Sequence, residues 1–468
     1  MHKISFGTEG FRGIIGYDFN FQTVERVAKA IATYLLENNG RKLIVGYDTR
    51  FLSREFAGHA ASVAAKNGLE VLISDTFCPS PVLSNAAKSL GLNGGIMITA
   101  SHNPPMYNGI KFKSHYGGAV PTKVTDRLSG MIEHTRAEDL YPEMYGAAAD
   151  IKRVYRRDIE RFIDRRLHST RALRIVIDPM HGAGQGLLAS IFRDLGHDVT
   201  EIRNTVNPYF EGTNPEPVEA NLAPLMQAVA RHKADVGIAL DGDADRIALV
   251  DGDAAYVDAH RVFGLLITYL VEEMGIRGDV AKTVTSTGMI DKLCEHYGLK
   301  LHVTRVGFKH ICELMQNTNV MAGGEESGGI GVAAHLPERD ALLVGILITQ
   351  LMLSRKKSLR ELIEDMYAVT GRHFYVRKDL HVHDALKKLD RAMDRKDDLL
   401  AGLGPYGEDR RDGYKFLFRD GGFLMARASG TEPVLRVYAE MDKKDKAEAL
   451  VDGFIKRLGR IMEGEGGL

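Results

Sequence analysis

The chain has no tryptophan and three cysteines among 468 residues. Cys78, Cys294 and Cys312 are odd in number and lack CxxC spacing. That excludes a disulfide framework and a thiolate zinc site, and it fits a reducing compartment. No apolar run approaches the roughly 20 residues a membrane helix needs. The N-terminal MHKISFGTEGFRG lacks the apolar stretch of a secretory signal, so a cytoplasmic protein is expected. Net charge is lacking too: 61 basic and 62 acidic residues leave −1. A neutral total supplies no global attraction to nucleic acid or anionic membrane. The expected partners are small molecules, and the expected state is a monomer or homodimer.

What is present is an ordinary globular composition, 44% hydrophobic and 26% charged. At roughly 100–200 residues per domain the length suggests three or four domains. Strand-like and helix-like segments alternate over the first 370 residues. KLIVGY (42–47), a helical stretch from Ser53 to Asn67 and LEVLISD form one βαβ pattern. The order returns at 173–203 and, more weakly, at 280–306. Each copy is followed by a strand–loop–strand segment: GGIMITASHNPPMYNGIKFK (94–113), VGIALDGDADRIALVD (236–251) and VMAGGEESGGIGVA (320–333). This predicts three similar α/β domains, each presenting one unusual loop at the same place. The tail differs. YKFLF and GFLMARA read as paired strands, followed by SGTEP, VLRVYAEM and a closing helix, an α+β arrangement. The expected domains are 1–150, 151–255, 256–369 and 370–468.

The second loop is the most informative. DGDADR sets Asp241, Asp243 and Asp245 between two apolar strands. In an extended loop, alternate residues point the same way. Three carboxylates on one side repel unless a cation lies between them, and oxygen ligands suit Mg²⁺ or Ca²⁺. An EF-hand is excluded, because its sixth position would be Arg246 and its twelfth Gly252, and strands flank the loop.

The first loop places Ser101 after a strand and before Pro104 and Pro105, which stiffen the backbone. A hydroxyl held beside a cation can accept and return phosphate; the alternative is a turn serine bonding to nearby backbone. Lys111 begins the return strand and is the first candidate to move a proton, provided burial among cations lowers its pKa. His102 shapes the loop. The third loop, GGEESGG, offers Glu325 and Ser327 to sugar hydroxyls, with Glu326 pointing away. RASGTEPVLR offers Arg427, Ser429, Gly430, Thr431 and Arg436, a set suited to a phosphate dianion. In FGTEGFRG, glycines surround Thr8 and Arg12, and Arg12 suits charge on a transferring phosphoryl group. RVGFKHI adds Lys309. HGAGQG misses the third glycine of a dinucleotide fingerprint, which falls at Leu187, and there is no Walker A sequence.

Together, in this order, FGTEGFRG, TASHNPPMYNGIKF, DGDADR, GGEESGG and RASGTEP resemble the α-D-phosphohexomutase family over the whole chain. The resemblance implies three similar α/β domains with mixed sheets plus a C-terminal α+β domain of TATA-binding-protein-like fold, around a central cleft. It implies a phosphoserine at Ser101, with Asp241, Asp243 and Asp245 binding Mg²⁺ together with the Ser101 phosphate. It makes GEESGG the sugar loop and RASGTEP the pocket for the non-reacting phosphate. Arg12 and Lys111 match cationic active-site positions, and Arg246 belongs to the metal-loop motif. Where dual-specificity phosphomannomutase/phosphoglucomutases often carry His, this chain has Gly329, so His335 in the following HLPERDAL is a candidate for that role. That stretch resembles phosphoglucomutases and tilts the expected substrate toward glucose phosphates, with phosphomannomutase and phosphoglucosamine mutase as alternatives. Glu326, where phosphoglucosamine mutases tend to carry Gln, counts against an amino sugar. The expected reaction converts hexose 1-phosphate and 6-phosphate through a hexose 1,6-bisphosphate. A Mg²⁺-dependent phosphatase and a catalytically silent sugar-phosphate-binding protein are the competing classes.

Overall fold

The computed structural model describes residues 4, 6, 7, 10–138, 145–419, 421–429 and 433–463. They group into two compact units, one of residues 1–281 with 307–363, the other of 282–306 with 364–468.

The first unit opens with six strands: β1 (Phe11–Ile14), β2 (Lys42–Tyr47), β3 (Glu70–Ser74), β4 (Gly94–Ile98), β5 (Tyr107–Ser114) and β6 (Ala147–Ala149). They form one mixed sheet in the order β1-β5-β4-β2-β3-β6. β2 runs parallel to β3 and β4, as the βαβ pattern requires, while β4 and β5 form an antiparallel pair. The predicted helix after β2 spans Ser53–Lys66. Helix Phe21–Glu37 begins where the Asn20 side chain accepts from the Thr23 amide at 2.9 Å, satisfying one of the first-turn donors. Val24, Val27 and Ile31 of that helix join Phe56, Val45, Ile96 and Ile110 in one buried apolar cluster.

The arrangement repeats. β7 (Arg174–Asp178), β8 (Asp198–Glu201), β9 (Val236–Leu240), β10 (Ile247–Asp251) and β11 (Tyr256–Val257) form a sheet in the order β11-β10-β9-β7-β8. β7 is parallel to β8 and β9, and β9 is antiparallel to β10. A third antiparallel pair joins strands Val320–Gly324 and Ile330–Val332. Each pair closes at its loop end on facing residues: Ile98 with Ile110, Leu240 with Ile247, Gly324 with Ile330. The three unusual loops therefore occupy equivalent places, as the internal repeat predicts. Helix Ala341–Arg355 is buried from Ala341 to Leu353. At 15 residues it is a core helix, and no described helix is long and apolar enough to cross a membrane.

The second unit holds a five-stranded antiparallel sheet in the order Phe374–His381, Val434–Met441, Phe423–Ala428, Tyr414–Leu417, Gly407–Asp409. Helices Ala385–Met393 and Lys444–Glu463 pack on it through Leu389, Val451, Phe454 and Leu458. This is the expected α+β tail. Residues 282–306 group with the tail in this unit. Polar ties account for it. Lys415 Nζ donates to Val284 O at 2.7 Å, the Gly288 amide to Glu440 Oε1 at 2.8 Å, and the Val306 amide to Asp412 Oδ2 at 2.9 Å.

Candidate active site

The loop between β4 and β5 carries Ser101 in a left-handed conformation, φ +52°, which costs an L-residue about 1–2 kcal/mol and marks a constrained site. Ser101 is 1% exposed. Its amide donates to Thr99 Oγ1 at 2.9 Å and its hydroxyl to Asp241 Oδ2 at 2.6 Å. The Nδ1 of His102 lies 3.4 Å from the same hydroxyl. Burial, with Arg246, Arg12, Arg50 and Lys111 around it, holds the His102 pKa well below the usual imidazole range. The ring is therefore neutral near pH 7. Arg12 donates to Asn103 Oδ1 at 2.6 Å and so steadies the loop.

The β9–β10 loop brings Asp241, Asp243 and Asp245 together as expected, though by a different local geometry. The loop is a turn with Ala244 left-handed, φ +56°, instead of an extended segment. Each carboxylate offers an oxygen within 4.8 Å of the others, and all three residues are buried. Asp241 Oδ1 accepts the amides of Asp245 and Arg246 at 2.9 and 3.1 Å. Burial first, and then Asp245 and Asp243, push the Asp241 pKa well up. For Asp243 burial also pushes upward, but Lys111 and the Ser80 hydroxyl outweigh it, and the net shift is down. Asp243 Oδ1 and Asp245 Oδ1 are buried with no hydrogen-bond partner. Two buried carboxylate oxygens without a hydrogen-bond partner, that of Asp245 lying 3.9 Å from Arg246 Nε, beside a third carboxylate suit a hard divalent cation, so these residues fit one.

Lys111 reaches this group, with Nζ 2.7 Å from Asp243 Oδ2 and 3.5 Å from Asp245 Oδ2. The sequence reading required burial among cations. The ammonium lies against carboxylates. Arg246 Nη1 is 3.7 Å from Glu216 Oε1. Lys309 is half-buried in the first turn of helix Phe308–Asn317 and has no ion-pair partner among the described residues.

The third loop joins the second directly. The Ile247 amide donates to Gly328 O at 3.0 Å, and Arg246 bridges to Gly329. Glu325 is 6% exposed and accepts the Gly307 amide at 3.1 Å; Ser327 is half-buried. Sequence reasoning missed Arg339. Its Nη2 donates to Asp245 Oδ2 at 2.7 Å and its Nη1 to Glu325 Oε2 at 3.3 Å, tying the Gly-rich third loop to the acidic loop. It also explains Gly329, since a Cβ there would lie 2.2 Å from Arg339 Cδ. His335, the sequence candidate for a polar role here, is elsewhere. It is 2% exposed, packed edge-on against Tyr155 and Phe162, with Nε2 3.2 Å from Asp340 Oδ2. Asp340 also accepts from Tyr155 and caps helix Ala341–Arg355, so His335 sits in a structural cluster.

In the second unit, Arg427 and Arg436 face each other on paired strands. Arg427 Nε lies 3.1 Å from Asp412 Oδ1, and Arg436 Nε lies 3.5 Å from Asp379 Oδ2. Ser429 is half-buried, its amide donating to Val434 O at 2.8 Å. Gly430, Thr431 and Thr8 lie outside the described residues.

A buried serine hydroxyl donating to one of three carboxylates that fit a cation suits phosphoryl transfer. Four models of the phosphoglucomutase/phosphomannomutase domains match in order: domain I at 3–139, II at 153–254, III at 258–369 and the C-terminal domain at 383–457. The chain belongs to the phosphoglucomutase/phosphomannomutase family. A phosphoglucomutase/phosphomannomutase of Thermococcus kodakarensis is 30% identical, over 98% of this chain and 99% of its own. A phosphoglucosamine/phosphogalactosamine mutase of Sulfurisphaera tokodaii is 28% identical, over 98% and 99%. The solved structure of a candidate phosphomannomutase from Thermus thermophilus superposes with TM-score 0.87 at 34% identity, over 97% and 99%. The chain is thus a phosphohexomutase-family enzyme, an intramolecular phosphotransferase, with the four-part architecture of the family.

Proposed function

We propose that this phosphohexomutase interconverts the 1- and 6-phosphates of mannose or glucosamine in preference to glucose, through a phosphoserine at Ser101. The observation that carries the chemistry is the 2.6 Å contact between Ser101 Oγ and Asp241, beside two carboxylate oxygens without a hydrogen-bond partner. The sugar preference departs from the glucose reading of the sequence. Its support is the naming of similar proteins: phosphoglucosamine mutases, a phosphoglucosamine/phosphogalactosamine mutase and a candidate phosphomannomutase, beside one phosphoglucomutase/phosphomannomutase.

In the forward half-reaction phospho-Ser101 gives its phosphoryl group to the free hydroxyl of the hexose 1-phosphate. The new O6–P bond forms as Oγ–P breaks, and the O6 proton passes to Lys111, which returns it in the second half-reaction. The hexose 1,6-bisphosphate then turns over, and its O1–P bond breaks as phosphate returns to Oγ and a proton returns to O1. Asp241, Asp243 and Asp245 would hold Mg²⁺, which when bound neutralises charge on the transferring group. Arg12 and Arg246 add fixed positive charge. Lys111, with Nζ 2.7 Å from Asp243 Oδ2, is assigned to the proton transfer. Glu325 and Ser327 are assigned to sugar hydroxyls and Lys309 to substrate. Arg427, Ser429, Gly430, Thr431 and Arg436 are assigned to phosphate.

The test compares kcat/KM for mannose, glucosamine and glucose 1-phosphates with Mg²⁺ and the matching bisphosphate, following 6-phosphate and inorganic phosphate together. A glucose preference above tenfold over both other sugars overturns the substrate assignment. Stoichiometric phosphate release overturns the mutase reading in favour of a phosphatase.

A further inference from the structure

We infer that Arg50 is a positioning residue for the nucleophile: its guanidinium fixes the strained backbone of the serine loop so that the Ser101 hydroxyl meets Asp241. The inference rests on the reading of Ser101 as the phosphate carrier.

Arg50 follows the end of β2, is 3% exposed, and spends its donors on one loop. Its Nη2 donates to Ser101 O at 2.5 Å and to Asn103 O at 2.7 Å. Its Nη1 donates to Pro104 O at 2.9 Å and to Tyr107 O at 3.0 Å. Four carbonyls of a seven-residue stretch thus converge on one planar group. Asp48 Oδ2 balances the charge at 3.3 Å from Nε. Asp48 is held in turn by the Ser53 hydroxyl at 2.7 Å and the Arg50 amide at 2.9 Å. The Phe210 ring covers the guanidinium at 4.9 Å. Burial brings the Arg50 pKa down to about 10, which still leaves the group charged near pH 7.

The geometry explains what holds Ser101 left-handed. The peptide before it is fixed by the Ser101 amide on Thr99 Oγ1. The peptide after it is fixed by the Ser101 carbonyl, which Arg50 takes as acceptor and which packs against Gly242, where a Cβ would come within 2.3 Å. With both peptide planes held, φ and ψ are set, and the side-chain direction follows. Lysine cannot substitute, because a tetrahedral ammonium with three donors does not span four carbonyls lying in a fork.

The test follows phosphorylation of Ser101 by glucose 1,6-bisphosphate with rapid quench and intact mass, alongside steady-state kinetics. Wild type, Arg50→Lys, and Arg50→Ala with and without guanidinium chloride are compared. Arg50→Lys keeps a charge for Asp48 and is the variant expected to stay folded. Its phosphorylation and kcat fall about 10- to 100-fold with KM within threefold, the scale of a nucleophile displaced by a fraction of an ångström to an ångström. Added guanidinium restores part of the rate of Arg50→Ala. Wild-type rates in Arg50→Lys, a loss carried by KM alone, or no response of Arg50→Ala to guanidinium each overturn the inference. Wild-type enzyme that takes no phosphate on Ser101 overturns the phosphoserine reading itself, a result distinct from any of these.

Discussion

Replacing Gly242 by alanine probes the contact between the first two loops without touching a reactive group. A Cβ at this position would lie 2.3 Å from Ser101 O and 3.2 Å from Pro215 Cγ, while ordinary contact begins near 3.4 Å. The obstacle is backbone, so it cannot rotate aside, and the two loops must part by about 1 Å. The 2.6 Å Ser101–Asp241 hydrogen bond then stretches to the limit of a hydrogen bond or breaks. Overpacking of this kind costs about 1–3 kcal/mol of stability, within what a folded domain tolerates. A displacement of about 1 Å at a reacting group costs on the order of 100-fold in rate, about 2.7 kcal/mol of transition-state stabilisation. The assay is 6-phosphate formation from saturating hexose 1-phosphate, with the thermal midpoint measured on the same preparation. Gly252→Ala is the control, since its Cβ meets only carbonyls at 3.5 and 3.6 Å. Gly242→Ala should lose kcat about 100-fold while Gly252→Ala keeps wild-type rate. Gly242→Ala activity within threefold of wild type would refute the claim that loop spacing sets the nucleophile.

Arg339→Met in cation-free protein should lower stability by about 3–5 kcal/mol, because Asp245 and Glu325 are left as buried charges without their guanidinium; an unchanged urea midpoint would show that the bridge carries no weight. His168 and His197 are buried, with Nδ1 of one 2.7 Å from Nε2 of the other. Burial first, then His197, brings the His168 pKa down to about 4 from an ordinary 6.5. Between those values the unfolded chain binds the extra proton, so this stability is fully present above pH 6.5 and is lost as pH falls toward 4. Discounted for solvent screening, the loss is about 2 kcal/mol. His168→Gln should therefore lose less thermal stability than wild type between about pH 7.5 and 4.5, and parallel losses would refute it.

Much of the site was legible because its chemistry is local in sequence. DGDADR carries three carboxylates within five residues, so any turn that gathers them makes a donor set fit for a cation, and the apolar strands on either side fix where it lies. The same holds for the three βαβ copies, whose hydrophobic periodicity needs no long-range information. Residues that act across the chain were not legible. Arg50 follows an apolar strand in YDTR, a buried charge that could have prompted suspicion, but its four acceptors begin 51 residues away. Arg339 sits four residues beyond His335 in HLPERDAL. Which of the two turns toward the acidic loop depends on Tyr155 and Phe162 closing around the imidazole. Lys111 lies midway along the return strand Tyr107–Ser114 and not at its start, and the carboxylate facing it comes from the neighbouring repeat. By itself the sequence determined the repeat, the family, the serine and the carboxylates, because periodicity and short motifs are written along the chain. Tertiary structure decided which cations serve those groups, because a buried charge takes its partner from whatever packing brings within a few ångströms, at any distance in sequence.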